Sequence, residues 1–150
     1  MDLPAILVTS VFEPKGLYYF TSEHLNTDDP HYFVMVVIDG QLLHMVVCTK
    51  QYEKKVKYIE YSGNDPATLV WVKPDAKLNE LKLDSYINCN EVFSDYTLEI
   101  LEDKLRSNAL KFRGHISDAE FYNVLNGILI STLVDDDIKA LVKKAMNDLP

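Results

Sequence analysis

Nowhere in its 150 residues does the chain hold an apolar run near the roughly 20 residues that a helix needs to cross a bilayer; residues 33–38 and 128–130 are typical of what it has. Glycine, at five, and proline, at six, are too few for a collagenous or linker-like chain. There are only two cysteines, Cys48 and Cys89. Both sit in apolar or strand-like runs, where a free thiol behaves as a small core residue, so two buried thiols are expected rather than a disulfide. Gly-rich phosphate loops, dinucleotide fingerprints, zinc-helix motifs, EF-hands and Gly-x-Ser-x-Gly elbows are all missing. His44 precedes Cys48 by four residues, but along a strand that spacing is about 13 Å, too far to share one metal. No metal or cofactor is expected. Basic residues are outnumbered 15 to 23 by acidic ones, for a net charge of -8. Such a chain repels nucleic acid at long range, so any RNA partner must be held by a local positive patch.

What is present is ordinary for a globular protein: 47% hydrophobic and 25% charged residues, in a length that suits one domain. The opening Met1-Asp2-Leu3-Pro4 carries no basic segment ahead of the apolar residues 5–8. It does not read as a secretory signal, and a cytoplasmic location is expected.

Up to about residue 115 the apolar residues come in short runs bounded by turn residues, the pattern of buried strands. Gly16 introduces an aromatic strand over 17–21, followed by a polar loop over 22–30. Residues 31–38 and 41–49 flank Asp39-Gly40, a dipeptide suited to a two-residue hairpin turn. With those two as the turn, 38 faces 41 and His31 faces Cys48, with Thr49 about 5 to 7 Å away. Further strands are predicted over 56–61, 68–72 and 81–90, and a short helix over 97–105. Ser117-Asp118-Ala119-Glu120 has capping-box spacing, so a helix begins there. Phe121, Val124, Leu125, Ile128, Leu129 and Thr132 continue it as one apolar stripe. A second helix follows Asp135-Asp136-Asp137, with the acids at its positive end. Strands first and helices last predict a mainly β fold with C-terminal helices, a small curled antiparallel sheet or barrel. The barrel spans about 16–115 and the helices about 117–148 of a single domain, 1–150.

Asp29-Pro30-His31, the hairpin through Cys48-Thr49-Lys50-Gln51, Asp84-Ser85-Tyr86-Ile87-Asn88-Cys89-Asn90 and a terminal helix follow one another in a layout that resembles the PemK/MazF-like toxin family. The likeness covers roughly residues 16–131. It implies an SH3-like barrel, metal-independent endoribonuclease activity on single-stranded RNA, an antitoxin protein as partner, and a homodimer. Thr49 matches the Thr or Ser that ends a strand in that family, and Pro30-His31 stands where an Arg-Pro pair is expected.

Metal-free RNA cleavage needs a base for the 2'-hydroxyl proton, an acid for the leaving oxygen and donors for the charge on phosphorus. His31 and Thr49 are the candidate catalytic residues. Lys50, Gln51, Tyr52 and Lys54 are the candidate substrate-binding residues. Lys50, Lys54, Lys55 and Lys57 stand against Glu53 alone, and Tyr52 and Tyr58 interleave with them as stacking platforms for unpaired bases. Arg113, in a second and sparser basic stretch, replaces the missing arginine if the fold brings it near Thr49. The alternative is a non-catalytic protein-interaction module on the same barrel.

Overall fold

The computed structural model describes residues 11–149; the apolar residues 5–8 read above lie outside them. Among these residues, seven strands and four α-helices follow one another as β1 (Gly16–Phe20), β2 (His31–Asp39), β3 (Leu42–Thr49), α1 (Tyr52–Ser62), β4 (Leu69–Val72), β5 (Ser85–Asn88), β6 (Phe93–Thr97), α2 (Leu98–Arg106), β7 (Leu110–His115), α3 (Asp118–Ile130) and α4 (Asp136–Asn147). The strands form one antiparallel sheet in the order β4-β5-β3-β2-β1-β7, with β6 also paired to β3. The sheet is open, and it forks at β3. Leu42, Leu43 and Met45 pair with β6, whereas Cys48 and Thr49 pair with β5.

Both faces of the sheet are covered. On one, Leu17, Val34, Val46, Cys48 and Ile87 pack with Phe121, Val124, Leu125 and Ile128 of α3 and Val142 of α4. On the other, Tyr18, Phe20, Phe33, Met35, Met45 and Tyr96 pack with Leu101 of α2. Sheet residues of the two clusters alternate along β1, the period-2 rule at work. No helix among the described residues is long and apolar enough to cross a membrane.

The expected hairpin is present, but its turn lies one residue later than Asp39-Gly40. Asp39 pairs with Leu42, which leaves Gly40 and Gln41 as the turn. Gly40 takes φ 60° and Gln41 is not in the left-handed region, so a single glycine at the first central position is enough. A bulge between Met35 and Val37 then changes the register to Phe33 opposite Val47. Two residues further along each strand, His31 comes opposite Thr49 rather than Cys48.

The strand predicted over 56–61 is instead part of the helix α1. Tyr52, Val56 and Ile59 recur at helical spacing, and Ile59 is buried. The helix stops at Gly63, in the left-handed region at φ 74°, where the Gly63 and Asn64 N-H groups donate to Glu60 and Ile59 carbonyls. The strand predicted over 81–90 shrinks to Ser85–Asn88. Ahead of it the chain is held as a loop: Asn79 Oδ1 accepts from Leu81 N, and Glu80 N donates to the Arg113 carbonyl. β6 and β7 had no specific prediction. The helix expected over 97–105 runs Leu98–Arg106, capped by the Thr97 hydroxyl. Ser117 and Glu120 form the full capping box of α3, and α4 starts after Asp135. Cys48 and Cys89 are free and buried.

Candidate functional site

A cleft of about 540 Å³ opens where β2 begins and β3 ends. His31 and Thr49 both line it, together with Lys50 and Gln51 beyond Thr49, Tyr19, Tyr32, Cys48 and Ser85 from the sheet, and Asp29 and Pro30 from the loop before β2. The hairpin brings His31 and Thr49 together because both strands run away from the same turn.

Local hydrogen bonds set the mouth of the cleft. His31 Nδ1 lies 3.0 Å from the Asp29 carbonyl oxygen. A carbonyl only accepts, so Nδ1 carries the proton and Nε2 of the neutral ring holds the free lone pair. Asp29 N in turn donates to Thr27 Oγ1, at 3.1 Å. Thr49 Oγ1 accepts from Gln51 N at 3.1 Å, which leaves the hydroxyl hydrogen to point elsewhere. Lys50 and Gln51 are exposed and His31 and Thr49 are half-buried.

The cleft walls are aromatic on one side. Tyr19 and Tyr32 are cross-strand partners with ring centroids 4.5 Å apart. Burial pushes the Tyr32 hydroxyl above its ordinary pKa, with Arg113 pulling the other way. Arg113 lies 5.9 Å from the Tyr19 ring centroid and pairs with Glu80 at 3.2 Å. It stands behind the cleft wall and does not line the cleft. Cys48 is no nucleophile here: burial first, and Glu120 second, push its thiol up to about 12, so the thiolate is scarce at neutral pH.

Two of the candidate residues lie elsewhere. Tyr52 opens α1 and rests edge-on against Tyr86, centroids 4.6 Å apart. It lines a separate groove of about 480 Å³ with Glu60, Trp71 and Tyr86. Lys54 is exposed on α1 and lines neither cavity. Tyr52 and Tyr58, six residues apart on a helix, lie on different faces, so they do not form one stacking platform. Trp71, Tyr86 and Glu60 were not singled out in the sequence. Reading 56–61 as a strand hid the face that Glu60 shares with Tyr52.

A larger cavity, about 640 Å³, lies between β4 and the start of α3. Of its two acids, Glu120 is already engaged by the backbone N-H groups of Ser117 and Lys73, and Asp75 by that of Lys77. Among the described residues no group of three or more His, Cys, Asp or Glu side chains is placed to hold a metal ion. No protein-family model, curated protein or solved structure matches the chain.

Proposed function

We propose that this chain is a PemK/MazF-like toxin-type protein that cleaves single-stranded RNA, without a metal, in the cleft between His31 and Thr49. The observation that supports it best is that an imidazole with a free Nε2 and a strand-ending hydroxyl line one cleft. In this reading His31 Nε2 takes the proton of a ribose 2'-hydroxyl, and the 2'-oxygen attacks the adjacent phosphorus. The bond to the 5'-oxygen breaks, that oxygen takes a proton from water, and a 2',3'-cyclic phosphate is left. Thr49 donates to a phosphate oxygen and Lys50 offsets its charge. The open, forked antiparallel sheet with two helices after its last strand is what supports an SH3-like fold in this proposal. A homodimer and an antitoxin partner belong to the same proposal.

A second reading, a non-catalytic protein-interaction module, is favoured by the net charge of -8 and by Pro30-His31 at the place of an Arg-Pro pair. Incubating the chain with single-stranded RNA in excess EDTA separates the two. Cutting supports the nuclease, and intact RNA beside folded protein supports the module.

A further inference from the structure

We propose that the groove between α1 and the β4-β5 ladder is a base subsite that selects guanine, a proposal that rests on the ribonuclease reading above. Trp71 and Tyr86 are cross-strand partners, so their rings share one face of the ladder. Tyr52 closes that face from the helix side, edge-on to Tyr86. Yet Trp71 is 48% and Tyr52 46% exposed. Rings that pack only partly against the protein leave π-surface on which a base can stack, and such stacking tolerates any base.

Glu60 supplies the choice among bases. It lies eight residues after Tyr52, a little over two helical turns on and still on the groove side, and among the described residues it is the only charged side chain lining the groove. An ionised carboxylate accepts hydrogen bonds and donates none. Guanine presents two adjacent donors on its Watson-Crick edge, N1-H and the N2 amino group. Adenine and cytosine set one amino group beside a ring nitrogen that repels a carboxylate, and uracil flanks its one N-H with two carbonyls. Only guanine offers a carboxylate two bonds without a clash.

The groove also adjoins the cleft. Tyr52 follows Gln51 and Tyr86 pairs across from Thr49, so a base in the groove belongs to a nucleotide near the bond held at His31. Lys73 Nζ lies 4.3 Å from the Trp71 ring centroid and lines the neighbouring cavity rather than this groove. It sits over one face of the Trp71 ring, so a base stacks on what the lysine leaves free, and the cation is there for a backbone phosphate of the same strand.

Trp71 is the single tryptophan of the chain, so its fluorescence reports the groove directly. The full chain is titrated with GMP, AMP, CMP and UMP, and with choline chloride as a bare organic cation. Saturable quenching by GMP at a concentration about tenfold below the other nucleotides is expected. Glu60→Gln, a change at an exposed position, should bring GMP to within about twofold of AMP. Equal quenching by all four nucleotides, no quenching, or a response to choline matching that to GMP would overturn the subsite. RNA cutting in EDTA without GMP binding overturns the subsite and leaves the nuclease standing. GMP binding without cutting supports the subsite while the catalytic reading fails.

Discussion

Nδ1 of His31 and the carbonyl oxygen of Asp29 lie 3.0 Å apart, and that contact decides which ring nitrogen is left for chemistry. With the proton fixed on Nδ1, Nε2 is the nitrogen that the proposed ribonuclease would use as its base. His31→Ala should then lower RNA cleavage by about two to four orders of magnitude, the usual worth of a general base. His31 is half-buried at the start of β2, so the far-ultraviolet circular dichroism should not change. Equal initial rates for the two proteins on a fluorescent single-stranded RNA would remove His31 from the mechanism.

Glu120 ties the start of α3 to the chain that follows β4. One carboxylate oxygen accepts from Ser117 N at 3.0 Å and the other from Lys73 N at 2.7 Å, while Glu120 N donates to Ser117 Oγ at 3.1 Å. Ser117→Ala removes only the hydroxyl half of the cap and should cost about 1 kcal/mol. Glu120→Ala frees two backbone donors, one of them in the chain after β4, and should cost about 2 kcal/mol. Urea midpoints at fixed slope give both values. Equal losses would mean that the tie to Lys73 contributes nothing.

The parts of this fold that can be seen in the sequence are those whose signal is local. Asp39-Gly40 marks a hairpin and Ser117 with Glu120 marks a helix start, because turn and cap chemistry needs only a few neighbouring residues. The nearness of His31 to Thr49 follows from the hairpin alone, but their pairing does not: the turn and the Val36 bulge shift the register in opposite directions and move His31 from opposite Cys48 to opposite Thr49. Residues 56–61 are harder. Val56, Tyr58 and Glu60 alternating with Lys57, Ile59 and Tyr61 fit a strand, and the helix shows only when Tyr52 and Gly63 are read with them. The groove face of Trp71 and Tyr86 is set by long-range pairing of β4 with β5, which no local pattern reports.

His44 is buried, with Nδ1 2.7 Å from Ser94 Oγ and Nε2 without a partner among the described residues. Burial lowers its pKa from the ordinary 6.5, with Asp39 acting weakly the other way. The folded protein therefore binds this proton less readily than the unfolded chain. Above pH 6.5 neither state is protonated there and His44 has no effect; as pH falls below 6.5 the unfolded chain takes the proton first and stability declines. His44→Gln can keep a bond to Ser94 and has no proton to gain. The wild-type urea midpoint should fall more steeply than that of the variant between pH 7.5 and 5. Parallel curves would show that His44 is protonated equally in both states.

Gly63 gives a test of α1 that depends on neither RNA nor ligand. It sits at φ 74°, and among the described residues nothing beyond the local backbone and its chain neighbours lies within 4 Å of where a Cβ would be. A side chain there meets no steric obstacle, so any loss of stability comes from the left-handed backbone that closes the helix. Gly63→Ala should cost about 1 kcal/mol. Gly63→Asn should cost less, because a short amide side chain tolerates this conformation better than a methyl group does. A strand ending in an ordinary type I turn would require no left-handed residue at this point, and Ala would then be as good as Asn. Measured by urea unfolding, the order Gly, then Asn, then Ala is expected for a helix; Ala equal to or above Asn would contradict the left-handed stop that ends α1 and sets the groove wall.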